Sequence, residues 1–183
     1  MIHGMNNNDV FQPVTPDTFR SAMADLPAAV SLITTVDSDG VPRGATVSAI
    51  SSLSLDPPLL LVCLDQRSDT LAALQPGSRL LLHIAADGQQ QIAMALSRKG
   101  EQKFDEIAWT PDASGIPLIE GFANAFRCEV ASLYAGGDHT IVVARIEAIA
   151  QSPENTPIVY HRRPLLPSPP AMSTAARPRR LTP

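Results

Sequence analysis

Seven runs of β-branched and aliphatic residues, each closed by turn-forming residues, set the limits on what this chain can fold into. They lie at residues 30–36, 43–50, 59–65, 79–85, 122–133, 140–149 and 157–161. The run at 59–65 is almost continuously apolar, which predicts a central strand. Ser38-Asp39-Gly40 and Ala135-Gly136-Gly137-Asp138 are hairpin turns, with glycine free to adopt positive φ. Only three stretches have a helical pattern. Thr15-Pro16-Asp17 is a capped start, and Phe19, Met23 and Leu26 share a face before Pro27 stops the helix. Ser68 is placed to cap a helix at 69–74, and residues 87–96 form the third. Strands joined by regular turns, with few helices, predict an all-β, Greek-key or barrel-like domain over a wound α/β sheet. The chain has neither GxGxxG nor GxxxxGK[ST], so the usual dinucleotide and P-loop sites are unsupported.

The most unusual stretch is Gly44 to Pro58. Five hydroxyl side chains and no charge fall between Thr46 and Ser54, and Pro57-Pro58 then ends regular pairing. Small hydroxyl residues let a ligand approach the backbone and offer hydrogen bonds to carbonyl or phosphate oxygens. Farther on, Ser97 to Phe104 is a basic polar segment ending in an aromatic residue. The region at 107–119 has a loop composition, with Trp109 as a packing anchor. Arg67 has the character of a solvated surface charge.

The 183 residues suffice for one domain with a real core, and 44% hydrophobic with 17% charged residues is ordinary for a globular protein. Residues 1–161 hold nine cationic and eighteen acidic side chains, a net of −9, whereas 162–183 hold five arginines and no acid. An acidic body argues against nucleic-acid binding. The Pro/Arg-rich tail at 164–183 and the leader at 1–14 are expected to lie outside the packed domain at 15–163. The N-terminus lacks the pattern of a secretory signal. Cys63 and Cys128 sit in apolar runs and read as small buried hydrophobes in a reducing, cytoplasmic setting. The four histidines, His3, His83, His139 and His161, have no metal-ligand spacing, and no GxSxG elbow is present. That profile suits chemistry carried by a bound cofactor, for which the protein supplies a groove and orientation.

Across residues 17–163 the chain resembles the flavin reductase family, the small components of two-component flavin monooxygenases. The resemblance is carried by Phe19-Arg20-Ser21-Ala22-Met23, Leu26-Pro27-Ala28-Ala29-Val30 and Ile33-Thr34-Thr35, then by the stretch through Pro58. Leu61-Val62-Cys63-Leu64-Asp65, Ser68-Asp69-Thr70, Lys103-Phe104, Phe126-Arg127-Cys128 and Gly137-Asp138-His139-Thr140 follow in order. The pattern is similar to reductases of the 4-hydroxyphenylacetate 3-monooxygenase type. The resemblance implies a split β-barrel homodimer that binds FMN or FAD, takes a hydride from NADH or NADPH, and supplies reduced flavin to a separate oxygenase. By position, Thr46, Val47, Ser48 and Ala49 would line the isoalloxazine edge. Ser52, Ser68 and Thr70 would hold the ribityl-phosphate part, Asp65 would belong to the cofactor-binding set, and Phe104 would pack on the flavin. His139, flanked by Asp138 and Thr140, would meet the nicotinamide. Where the family often has Asn this chain has His83, an aromatic is common at Leu96, and the usual Gly-x-aromatic after Tyr160-His161-Arg162 is Arg163-Pro164-Leu165. Two further readings fit the residues: a flavin-binding protein of the same fold without turnover, and a regulatory partner protein that docks through its arginine tail.

Overall fold

The computed structural model describes Phe11, residues 13–162 and the backbone strand at 165–167. The leader at 1–10 and the tail at 168–183 lie outside the described residues. Helix α1 (Pro16–Ala24) starts with a reciprocal Thr15–Thr18 capping box. The strands follow as β1 (Ala28–Ala29), β2 (Ser31–Val36), β3 (Pro42–Val47), β4 (Ile50–Ser54) and β5 (Leu59–Asp65). Next come α2 (Asp69–Ala72), β6 (Arg79–Ile84), α3 (Gln90–Ser97) and a short 3-10 turn at Glu101–Phe104. The small strands β7 (Thr110–Pro111) and β8 (Pro117–Leu118) precede the long hairpin β9 (Asn124–Gly136) and β10 (His139–Gln151), and β11 (Ile158–Tyr160) and β12 (Leu165–Pro167) end the chain.

The main sheet has seven antiparallel strands in the order β3-β2-β6-β9-β10-β5-β4. Within it β6, β9 and β10 are successive neighbours and β5 returns beside β10, which is a Greek key. Strands β3 and β4 occupy the two opposite edges, yet only Ser48 and Ala49 separate them. Three Cα–Cα links of about 3.8 Å cannot span a flat sheet of this width, so the edges must come together and the sheet closes into a barrel. Just before β4 the Ala49 carbonyl accepts from the Cys63 N–H of β5 at 2.9 Å, which extends the β4–β5 pairing up to the seam. The seam is where the observed strands differ from the sequence expectation: the single strand at 43–50 is two strands, and Ile50–Ser54 pairs with β5 rather than turning.

Alternation of side chains fills the barrel. Ile33, Val62, Leu64, Leu80, Leu82, Cys128, Val130 and Val142 form the inner core. Val30, just before β2, and Leu32, on the opposite face of β2, enter a second core with Ala93, Leu96, Phe104, Ile107 and Ile158, which fastens α3 to the barrel wall. Trp109 packs edge-on to Phe104 with centroids 6.2 Å apart, as a packing anchor should. The third helix begins at Gln90, three residues later than its sequence pattern indicates, and the loop at 107–119 contains the β7–β8 hairpin. β12 pairs with β11, so the expected tail contributes an edge strand, a place where proline is tolerated. Phe19 and Met23 do share a face of α1, but no residue of that helix is buried.

His83 is a core residue. Its Nδ1–H donates to the Leu32 carbonyl (3.2 Å) and its Nε2 accepts from the Ile119 N–H (3.3 Å). With both nitrogens engaged and no exposure, it does not face a ligand. Burial pushes its pKa from 6.5 down to about 4. The unfolded imidazole takes up a proton below about 6.5, whereas the native one does so only near 4. Stability therefore falls as pH drops through that window, by up to roughly 3 kcal/mol. Denaturant unfolding at pH 7 and pH 4.5 should reveal the loss, and His83→Asn should flatten it. The carboxylates held low by partners, such as Asp25, Asp37 and Asp138, act below this window.

Candidate functional site

The barrel seam is the centre of the candidate site. Strand β3 stops at Val47 because the chain must cross to the other edge, and Ser48 and Ala49 are left exposed at the crossing. Three abutting cavities follow this stretch, and Thr46 lines all of them. The first, about 250 Å³, lies between Val47, Ser48 and Ala49 on one side and Cys63, Asp65, Ser68 and His139 on the other. The second, about 180 Å³, is the cationic end, where Arg67, Arg98, Lys99 and Lys103 outnumber Asp65 and Asp69 around Ser68. The third, about 240 Å³, is mainly apolar and is bounded by Val30, Ala93, Met94 and Tyr160. Together they fall in the size range of small-molecule sites, about 300–1,000 Å³.

Two hydrogen bonds hold the α3 wall against this floor. Thr46 Oγ1 donates to the Ala93 carbonyl at 2.6 Å, and Lys103 Nζ donates to the Gly44 carbonyl at 2.7 Å. The Thr46 hydroxyl proton is thus committed within the protein. Ser68 occupies the N-cap position of α2, but its side chain makes no capping bond. Its hydroxyl faces two of the cavities and is available to a ligand.

Asp65 ends β5 and is locked by Arg67. Its Oδ1 accepts from the Arg67 N–H (2.8 Å) and Nε (3.1 Å), and its Oδ2 from Nη2 (2.8 Å). The Arg67 guanidinium holds the Asp65 carboxyl well below the usual carboxylate range. Such a group stays ionised and positions Arg67; it does not shuttle protons. At the β9–β10 turn, Gly137 takes φ 74°, and the turn is fixed to the end of β5 by Gln66 N–H donating to the Asp138 carbonyl (3.1 Å). In register, His139 stands opposite Asp65. Asp138 Oδ1 lies 2.8 Å from His139 Nδ1 and orients the ring, leaving Nε2 without a partner among the described residues.

Thus Thr46, Val47, Ser48, Ala49, Asp65, Ser68 and His139 come together at one groove. Asp138 acts on His139, and Thr140 is half-buried one step along β10. Three expected residues stand elsewhere. Ser52 is exposed on β4 and lines none of these cavities. Thr70 is fully buried, with its hydroxyl unpartnered. Phe104 is 7% exposed and packs behind the groove floor against Gly44. A side chain so placed supports the floor and does not cover a ligand. Cys63 differs from the expected buried hydrophobe, because it is half-buried and lines the groove. Cys128 is buried and its thiol is pushed up to about 12 by burial. The residues that the sequence reading passed over are Arg67, Arg98, Lys99 and Lys103, whose proximity depends on contacts between α3, α2 and the barrel. The signal available was the cluster of cations in 98–103.

The residues present suit a flat, partly anionic ligand: an uncharged ledge of small side chains, an unpartnered serine hydroxyl and a cationic end. A family model described as "Flavin reductase like domain" matches residues 23–166. The flavin reductase (NADH) of Kitasatospora aureofaciens is 36% identical over 153 residues, covering 82% of this chain and 80% of the relative. The reductase subunit HsaB of a flavin-dependent monooxygenase from Mycobacterium tuberculosis is 32% identical over 151 residues, covering 81% and 80%. The solved structure of the NADH:FAD oxidoreductase SgcE6 of Streptomyces globisporus superposes with a TM-score of 0.79 at 26% identity, covering 88% of this chain and 99% of that one. With the seam groove, the strand order and these relatives in agreement, the chain belongs to the flavin reductase-like domain family.

Proposed function

We propose that this chain is an NADH:flavin oxidoreductase that reduces FMN or FAD by hydride transfer and supplies the reduced flavin to a separate monooxygenase component. The observation that carries this reading is the interruption between strands β3 and β4 at Ser48–Ala49, which opens a neutral ledge between His139 and a charged pocket rich in cations. With both rings bound, the chemistry supplied would be hydride transfer from nicotinamide C4 to flavin N5, with a proton from solvent completing the reduction. The protein's own residues position and shield. Val47 to Ala49 would set the plane of the ring, and the Ser48 and Ser68 hydroxyls would donate to its polar edge and ribityl chain. Arg67 and Lys103 would balance the phosphate. His139, held by Asp138, borders the face open to the nicotinamide. Contact-distance stacking of two rings lowers the barrier mainly through orientation, so no protein acid or base is required at the ledge.

The finer placement we propose is the 4-hydroxyphenylacetate 3-monooxygenase type, on the strength of the ordered motifs from Phe19 to Thr140. A homodimer is part of the proposal, supported by the uncovered α1 face of Phe19 and Met23 beside exposed Leu26. A cytoplasmic site is proposed from the two free thiols. No helix among the described residues is long and apolar enough to cross a membrane.

The test is NADH oxidation by purified protein with and without added FMN or FAD; oxidation that ignores both flavins would count against the proposal. In the same assay His139→Ala is expected to raise KM for NADH about tenfold, the worth of one good polar contact, while flavin affinity changes little. Equal loss of flavin affinity would remove His139 from the nicotinamide side.

A further inference from the structure

We propose that Thr46 is a positioning residue for hydride transfer: its hydroxyl acts on helix α3, not on the ligand, and fixes the wall that faces the ledge. The inference rests on the flavin reductase reading above. Thr46 borders all three seam cavities, yet its Oγ1 donates its one proton to the Ala93 carbonyl at 2.6 Å. Ala93 lies in mid-helix, where an α-helix's own N–H four residues on uses the same carbonyl. The helix therefore does not need the strand's hydroxyl to satisfy its backbone. The bond is surplus to helix formation and serves to join two elements.

The helix has little else to fix its place. It is eight residues long, too short to be stable alone, and its N-cap residue, Gln89, makes no capping bond. The residues it buries are Ala93, Ala95 and Leu96, two of them too small to interlock with a neighbour. Gly44 and Thr46 share a face of β3, and Ala93 and Leu96 share a face of α3. Leu96 Cδ2 would stand only 3.2 Å from a Cβ at Gly44, so it packs directly on that bare stretch of strand. Apolar contact of this kind is non-directional and lets a helix slide or roll. A hydrogen bond demands a distance and an angle, so the Thr46–Ala93 bond sets where α3 stands along β3. What α3 presents to the site depends on that placement. Met94 and Ser97 border the apolar cavity, and Leu96, Ser97 and Arg98 the cationic one. A shift of α3 moves both walls relative to the ledge, and with them the gap in which two rings must stack.

Thr46→Val removes the hydroxyl and keeps the shape; valine suits a strand, and the Ala93 carbonyl retains its helical partner. The melting temperature is expected to fall by no more than about 4 °C. At saturating FMN and NADH, kcat is expected to fall about tenfold, because stacked rings tolerate little misplacement, while FMN affinity changes less than about threefold. Thr46→Ser restores the donor and should bring kcat back to within about twofold of wild type. Hydrogen exchange on the ligand-free full chain is the second readout: amides in 94–98 should exchange at least about fivefold faster in Thr46→Val and at the wild-type rate in Thr46→Ser. A tenfold loss of FMN affinity with kcat and exchange intact would overturn the proposal and make the hydroxyl a ligand contact. Unchanged kcat in Thr46→Val would overturn it as well, and so would a fall in kcat that Thr46→Ser does not repair. A wild-type chain that oxidises no NADH with either flavin would sink the functional reading itself; normal wild-type turnover with no effect of Thr46→Val would sink only this inference.

Discussion

Ala49→Trp is expected to abolish flavin-dependent NADH oxidation in a protein that remains folded. Ala49 is one of only two residues bridging the sheet edges, its side chain lines the ledge, and the residue is exposed. Its structural contribution is made by the backbone: the carbonyl accepts from the Cys63 N–H at 2.9 Å, which any side chain preserves. An indole is flat, apolar and large enough to fill much of a cavity of about 250 Å³. It would compete for the space that the ring requires, without entering either core. Flavin affinity should fall at least about hundredfold, roughly 3 kcal/mol, with the melting temperature nearly unchanged. Flavin titration and thermal unfolding check the two halves separately. Retained flavin binding would move the ligand away from the seam.

Gly44→Ala should damage the fold and the site together. Gly44 is buried on β3 with ordinary strand geometry, so its role is to leave room. A Cβ there would lie 2.8 Å from Phe104 Cζ, 2.9 Å from the Ile33 carbonyl oxygen and 3.2 Å from Leu96 Cδ2. The Ile33 oxygen belongs to the paired backbone of β2 and cannot swing away, and Phe104 is enclosed by the second core. Relief requires moving β3 away from its neighbour or lifting α3. Overpacking of this kind costs about 1–3 kcal/mol. In a domain of this size that lowers the melting temperature by roughly 2–10 °C. The Gly44 carbonyl also anchors Lys103, so flavin affinity should decline with stability. Thermal unfolding with a flavin titration would detect both, and a variant as stable as wild type would show that the Phe104 packing yields more readily than these distances imply.

The strands were legible in the sequence as β-branched and aliphatic runs closed by turns, near-continuously apolar in 59–65 and alternating in 122–133. The break at Ser48–Ala49 was not. Residues 43–54 carry no proline and no glycine beyond Gly44, and the lapse in alternation at Ala49-Ile50 and Ser51-Ser52 is too slight to divide a strand by itself. What divides them is the strand order, which sends β3 and β4 to opposite edges, and strand order is a long-range property. The same reason hides the cationic cavity. Arg67 and Lys99 are far apart in sequence and each reads as a surface charge; only the packing of α3 on β3 brings them to one cavity. Phe104 was legible as an important aromatic but not as a buried one, because the gap it fills is made by the missing side chain of Gly44. His139 was singled out by the resemblance of Gly137-Asp138-His139-Thr140 to the family, since its turn alone marks it only as a hairpin residue. Gly136-Gly137 fixes the hairpin, and the register then has one position opposite Asp65.

The most direct measurement is a crystal structure of the protein grown with flavin. The account predicts a tricyclic ring lying along Thr46 to Ala49, its phosphate end toward Ser68 and Arg67, and one face open beside His139. A ring bound elsewhere, or a seam filled by the protein's own side chains with flavin excluded, would contradict it.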